Sequence, residues 1–299
     1  GGAMIPFYIY YSMFGFQRIG DLAWAAGDSR ARGFMLGGTA GRTTLNGEGL
    51  QHEDGHSHIL ASTIPNCVSY DPTFQYEVAV IVQHGLKRMY EDEEDVYFYL
   101  TLMNENYLHP EMPMGVEKDI IRGLYRLRKT SRPGKKHVNL MGSGTILMQA
   151  IKAAEMLKED FGVTADIWSV PSFNELGRDY EEVERWNRMN PLDEPREPFV
   201  TKQLKGAKGP FIAATDYMKS FADQIRAGVP GRYTVLGTDG FGRSDSRVNL
   251  RRFFEVDANH IAAAAMTDLY REGAVTKTEL RKALKTYDID GAKPNPRLV

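Results

Sequence analysis

The densest chemistry in the chain lies between Asn46 and His58, where three histidines and three acids fall within eleven residues: Glu48, His52, Glu53, Asp54, His56 and His58. Core packing does not explain so many polar groups in one stretch, so the stretch reads as a site. Two chemistries fit its spacing. His52-Glu53-Asp54-Gly55-His56 is a literal H-E-x-x-H, the pattern of a zinc hydrolase, which needs both histidines on one helical face and a third ligand. Gly55 lies inside the motif, Gly47 and Gly49 lie just before it, and each glycine costs a helix roughly 1 kcal/mol relative to alanine. The spacing therefore predicts no bound zinc. The second chemistry is proton transfer and oxyanion stabilisation. Glu48 and His52 lie four apart, and a carboxylate beside an imidazole orients it and keeps a proton available for a substrate oxygen. A plainer alternative stands beside it, a loop whose His and Asp side chains satisfy backbone groups. Spacing alone leaves these two open.

The stretch belongs to a longer loop with glycines at 37, 38, 41, 47, 49 and 55. Such a density implies tight turning or close approach to a ligand. Just upstream, Phe7, Tyr8, Tyr10, Tyr11, Phe14 and Phe16 sit at an expected strand-to-helix junction, where open α/β sheets bind ligands, and one or two of these rings could stack on a planar cofactor. Gly142-Ser143-Gly144 follows a strand and opens a helix, but Leu147 stands where a dinucleotide loop needs its third glycine. Tight βα turning explains it better. Asp239 to Asp245 is a polar glycine loop. Asp288 to Gly291 lacks the remaining ligands of a calcium loop.

The elements that must position these groups alternate. Met4–Tyr10 reads as a buried strand, 12–26 as a helix, and Gly33–Leu36 as a short apolar run. Ile64–Tyr70 is a strand, and a helix from Asp71-Pro72-Thr73 to about Met89 follows it. Val96–Met103 is a strand, 104–118 a loop, and Gly123–Leu127 an edge strand. A polar Pro/Gly stretch, 130–136, marks a domain boundary. Beyond it, Val138–Met141, a helix over 145–161 closed by Gly162, and Ala165–Val170 make a βαβ unit. A helix over 172–186 follows, with Ser172 as N-cap and Glu175 three residues on. Strands at 211–214 and 233–236 and helices near 247–254, 259–271 and 278–285 complete the pattern. The fold class is α/β, with two doubly wound, mostly parallel sheets.

Composition sets outer limits. The chain has 299 residues, 42% hydrophobic and 25% charged, with a formal net charge of -2. That is enough chain for two globular domains without disulfides. No cationic excess points to nucleic acid or anionic membrane, and no apolar run is long enough to span a bilayer. The single cysteine, Cys67, lies in an apolar run and reads as a buried, inert thiol. Gly1-Gly2-Ala3-Met4 lacks a secretory pattern and reads as a cloning remnant or cut point, so a cytoplasmic location is expected.

Three runs carry a resemblance: Ile5 to Asp21 (IPFYIYYSMFGFQRIGD), Gly38 to His58 (GTAGRTTLNGEGLQHEDGHSH) and Leu236 to Arg247 (LGTDGFGRSDSR). With Asn295-Pro296-Arg297-Leu298 at the end, the chain resembles, from Met4 to Val299, the homodimeric bacterial pyruvate dehydrogenase components. These are transketolase-like enzymes dependent on thiamine diphosphate and magnesium. The resemblance implies residues 1–128 as the later half of a pyrimidine-binding domain and 129–299 as a transketolase-like C-terminal domain that binds no nucleotide. It implies that Phe14 stacks on the cofactor's aminopyrimidine and that Tyr11 lies beside it. His52 contacts the substrate-derived adduct, Glu48 is its acidic partner, and Arg18 contributes to the substrate pocket. The implied reaction is oxidative decarboxylation of pyruvate, with the acetyl unit passing to a lipoyl group of a partner acyltransferase. Another short 2-oxo acid, such as 2-oxobutyrate, is the alternative substrate. The family's activating glutamate would precede Met4, and its Gly-Asp-Gly metal motif is not found here. The expectation is therefore part of an active site, inactive as an isolated chain.

Overall fold

The computed structural model describes residues 4–299; the reading of Gly1–Ala3 lies outside them. Two α/β units follow one another. The first is a four-stranded parallel sheet of order β1-β2-β4-β3, with β1 Phe7–Tyr11, β2 Phe34–Gly38, β3 Cys67–Tyr70 and β4 Tyr97–Thr101. Alternation along these strands sends Phe34, Val68 and Phe98 to one face, against Ile81 of α3 (Gln75–Leu86). Met35, Cys67, Tyr97 and Tyr99 go to the other, against Phe16 and Ala23 of α1 (Gly15–Asp28) and Ala61 of α2 (Ser57–Ser62). Such two-sided burial is what a parallel sheet requires. Cys67 is buried, and burial pushes its thiol up to about 12.

After α4 (Glu117–Arg122) comes β5 (Tyr125–Arg128), which pairs antiparallel with β7 (Thr164–Ser169). The second sheet runs β5-β7-β6-β8-β9, with β6 His137–Gly142, β8 Phe211–Ala214 and β9 Tyr233–Leu236 parallel to β7. On one face lie α5 (Ile146–Phe161) and α10 (Ala258–Arg271), with α9 (Arg247–Phe253) and α11 (Lys277–Thr286) beside them. On the other lie α6 (Phe173–Met189), α7 (Phe199–Leu204) and α8 (Lys219–Asp223). The fold class is thus two doubly wound, mostly parallel layers. Among the described residues no helix is long and apolar enough to cross a membrane.

Local signals acted as expected at several ends. Ser172 Oγ accepts the Glu175 amide at 3.0 Å, and Gly162 closes α5 in the left-handed conformation. Three expectations shift. The helix after β3 begins at Gln75 rather than Asp71, because the buried Glu77 carboxylate reaches back to the amides of Thr73 and Phe74. Gly123–Leu127 becomes β5, at the edge of the second sheet. A break after residue 128 would separate β5 from the strand it pairs with, so we propose the division ahead of it, in the segment between β4 and α4. Met4–Tyr10 is not a buried strand. β1 is an edge, and Phe7, Tyr8 and Ile9 are 47%, 53% and 68% exposed.

The two units are pinned by buried polar bonds. Asp216, which follows β8, receives four donors from the loop after β2. Its Oδ1 accepts from Thr43 N at 2.9 Å and Thr43 Oγ1 at 2.6 Å. Its Oδ2 accepts from Thr44 N at 3.1 Å and Thr44 Oγ1 at 2.5 Å. Ser69 and Asn174 (2.6 Å), Glu77 and Ser169 (2.7 Å), and Thr73 and Gly144 (2.8 Å) make further bridges. At the Gly142–Gly144 turn, a Cβ on Gly144 would lie 2.3 Å from Met103 Cε and 2.7 Å from Asp71 Oδ2. The space over this turn is filled by the first unit, so its glycines serve close packing.

Two outcomes follow for the chain. Asp216→Ala strands four buried donors, each costing about 1–3 kcal/mol. A loss of at least about 3 kcal/mol in urea unfolding is expected, and less than about 1 kcal/mol would show that the pin carries little. At β1, an apolar edge strand open to water invites pairing with another chain. The 299-residue chain should self-associate in light scattering, and Ile9→Lys should shift it toward monomer; a wild-type monomer would refute this.

Candidate functional site

β1 ends at Tyr11, one tight turn over Ser12–Phe14 follows, and α1 starts at Gly15. Gly15 has no room for a side chain, since a Cβ would lie 1.8 Å from the Tyr10 ring. This close approach sends Tyr11 and Phe14 outward at the carboxyl end of the sheet, while Tyr10 stacks over Tyr99. The loop from β2 to α2 leaves the same end, because Tyr11 pairs in register with Gly38. Its first part is fixed to the second unit through Thr43 and Thr44. Its second part carries Glu48 and His52 back over Tyr11 and Phe14.

All five residues singled out from the sequence meet there. The His52 ring stands edge-on to Phe14, with centroids 5.3 Å apart and planes at 71°, and to Tyr11 at 5.7 Å and 65°. Tyr11 and Phe14 lie 5.4 Å apart. The Arg18 guanidinium lies over the Phe14 ring, 4.0 Å from its centroid. Glu48 Oε2 lies 3.7 Å from His52 Nδ1, an ion-pair separation rather than a hydrogen bond, and Nδ1 has no hydrogen-bond partner among the described residues. The imidazole is half-buried, so one edge stays open to a ligand. The cluster offers a planar aromatic wall, a cation and a ring N–H donor, with an acid behind the ring.

The neighbouring polar residues divide differently from a metal site. Residues 51–56 are non-helical, and α2 starts only at Ser57, so the helix that H-E-x-x-H requires is not formed. A Cβ on Gly55 would lie 2.2 Å from the Arg42 guanidinium, which explains why the chain is glycine there. Glu53 turns away from His52 and accepts the Arg243 amide at 2.6 Å, in the Asp239–Asp245 loop of the second unit. Burial pushes Glu53 up to about 8, against that amide and Arg42. Arg42 itself donates to the Gly240 carbonyl. His58 is a core residue: it bonds Thr101 Oγ1 at 2.9 Å, stacks on Phe221, and is held down to about 4 by burial. His56 bonds Gln17 Oε1 at 3.1 Å and is lowered by burial, with Asp54 opposing. Only His52 of the three faces the aromatic pair.

Asp54 was visible only as one acid in a cluster. It is fully enclosed, accepts the amides of His56 at 3.0 Å and Ser57 at 2.9 Å, and takes the Ser12 hydroxyl across 42 residues of chain. Burial alone would raise its carboxyl; the hydroxyls of Ser12 and Ser57 and the His56 amide outweigh that and hold it low. The local signal was Asp three residues ahead of Ser57, an Asx-type helix entry. The Ser12 partner had no sequence signal.

The comparisons with known proteins converge on one family. Residues 1–110 match the model of the pyruvate dehydrogenase E1 component middle domain, and residues 123–257 that of the transketolase-like TK C-terminal domain. The pyruvate dehydrogenase E1 component of Cupriavidus necator is 61% identical over the whole of this chain, which covers 34% of that protein. Those of Pseudomonas aeruginosa and Escherichia coli K12 are 59% and 58% identical over 98% and 99% of this chain, each covered to 33%. The chain thus spans about a third of the length of these relatives. Among solved structures, transketolases from Campylobacter jejuni and Leishmania mexicana share the fold. Their TM-scores are 0.66 and 0.68 at 16% and 15% identity, over 89% and 90% of this chain and 36% and 34% of theirs. By the two domain models and these relatives, the chain belongs to the pyruvate dehydrogenase E1 component family, of which it carries the stretch matching the middle and transketolase-like C-terminal domains.

Proposed function

We propose that this chain supplies one wall of the active site of a thiamine-diphosphate-dependent pyruvate dehydrogenase. That enzyme decarboxylates pyruvate oxidatively and passes the acetyl unit to a lipoyl group on the acyltransferase core of a homodimer-based complex. The observation that carries the reading is the convergence of Tyr11, Phe14, Arg18, Glu48 and His52 on one half-open surface, in a chain 54–61% identical to E1 components.

The residues fit an aromatic heterocycle. Phe14 and Tyr11 would hold the aminopyrimidine ring by stacking, at an offset that aromatic pairs favour. When bound, thiamine diphosphate supplies the electron sink that the 2-oxo acid lacks. The chain's own groups orient and polarise. With Nδ1 turned to Glu48, His52 presents Nε2 to the substrate. An N–H there donates to the ketone oxygen as negative charge grows on it, and Glu48 stabilises the imidazolium side of that exchange. The Arg18 guanidinium adds positive potential for the substrate carboxylate. For magnesium the described residues do not fit, since no three acidic, His or Cys side chains among them are placed to hold a metal. We therefore assign the metal and the diphosphate to the part of the enzyme that this chain does not match. The pocket wall sets no chain length, because one methylene changes binding by only about 1–3 kcal/mol. 2-Oxobutyrate thus remains the alternative substrate.

In the complete enzyme, His52→Ala should lower turnover by roughly 10²–10⁴, the usual range for general acid–base residues, with cofactor affinity little changed. Phe14→Ala should instead weaken thiamine diphosphate binding. Steady-state kinetics and calorimetric titration separate the two, and near-wild-type turnover in His52→Ala refutes the assignment. The isolated 299-residue chain should neither bind thiamine diphosphate with micromolar affinity nor consume pyruvate, and a titration showing such binding refutes the partial-site reading.

A further inference from the structure

The geometry points to Asp54 as the positioning residue that sets the spacing between the His52 imidazole and the Tyr11–Phe14 aromatic pair, acting through the Ser12 hydroxyl. The inference rests on the proposed role of that cluster.

His52 and the two rings lie on different elements, a loop and a strand-to-helix turn, and no hydrogen bond joins His52 itself to Tyr11 or Phe14 among the described residues. Edge-on ring contacts at 5.3 and 5.7 Å are weak and tolerant of sliding. Something stiffer must hold the two elements in register. Asp54, two residues after His52, is the group that reaches both. Its Oδ1 closes its own loop by accepting the amides of His56 and Ser57. Its Oδ2 accepts from Ser12 Oγ, and Ser12 sits between Tyr11 and Phe14 in the turn that aims both rings. Both partners are buried, at 0% and 1% exposure, so water does not compete for this bond. A charge-assisted hydroxyl–carboxylate bond is shorter and roughly twice as strong as a neutral one.

Two further contacts make the arrangement a clip rather than a single tie. His56, two residues beyond Asp54, bonds Gln17 at 3.1 Å, so the 54–56 turn grips the aromatic segment on both sides of Phe14. Behind it, Tyr99 donates to Ser57 Oγ at 2.9 Å, anchoring the clip to the central strand β4. A residue that only started α2 would need the amides of His56 and Ser57 and would have no use for Ser12.

The test uses the complete enzyme and the variant Ser12→Ala, which removes the hydroxyl and leaves the α2 entry intact. Hydrogen–deuterium exchange should rise together in peptides covering residues 11–18 and 52–58, with the enzyme still folded and melting cooperatively, at a temperature lowered by the stranded Asp54 oxygen. Exchange that rises in neither peptide, or in one only, overturns the clip whatever the reaction is. Turnover should fall about tenfold, since misplacement of about 1 Å is costly to catalysis. Ser12→Thr, which keeps the hydroxyl, should recover most of it. In a His52→Ala background, Ser12→Ala should add less than about twofold, because two changes acting on one contact are not additive. Full additivity would mark Ser12 as merely structural and overturn the inference. If His52→Ala alone leaves turnover intact while exchange rises in both peptides, the clip stands and the catalytic reading of the cluster is the part that fails.

Discussion

The arrangement of the molecule depends on a single buried carboxylate. Asp216 accepts two amides and two hydroxyls from Thr43 and Thr44 at 2.5–3.1 Å, and it comes from the other α/β unit. A buried acid with that many donors is satisfied; without them it would be costly to enclose. The consequence is geometric. The loop after β2 must leave its own sheet, touch the second unit, and then return. Its return leg carries Glu48 and His52 to the carboxyl end of β1. The candidate site therefore lies on the first unit, while its loop is braced by the second. Glu53 and Arg42 repeat the pattern on the far side, through the Arg243 amide and the Gly240 carbonyl.

The histidine-rich stretch shows how closely spaced polar residues divide their work. Of its six titratable groups, Glu48 and His52 face outward beside the rings, and the others are used by the fold. Glu53 holds the second unit, Asp54 holds Ser12, His56 holds Gln17, and His58 sits in the core against Phe221. Proton transfer and backbone satisfaction looked like rival explanations of one sequence. They fall on different residues: Asp54 accepts the His56 and Ser57 amides, while proton transfer is the role we propose for His52 and Glu48, which the loop's internal bonds leave free.

The exposed edge at β1 bears on the same point from the other direction. Phe7, Tyr8 and Ile9 are about half open or more, although their types are those of a strand covered on both faces. The relatives are about three times the length matched by this chain. The apolar edge lies next to the candidate site, since β1 runs directly into the turn that carries Tyr11 and Phe14.

What the sequence determined by itself was local or carried by long specific strings. Period-2 and period-3.6 patterning located most strands and helices, Ser172 and Gly162 marked helix ends, and the runs 5–21, 38–58 and 236–247 carried the family resemblance, which named Tyr11, Phe14, Arg18, Glu48 and His52. Tertiary structure decided the rest. It turned His56 to Gln17 and His58 into the core, placed β5 on the second sheet, left β1 at an edge, and paired Asp54 with Ser12 and Asp216 with Thr43 and Thr44. Those pairings span 42 to 173 residues of chain. Propensity and spacing act over a turn or a strand, whereas a buried carboxylate takes whatever donor the packed sheets bring within 3 Å, and that is settled only when both sheets are in place.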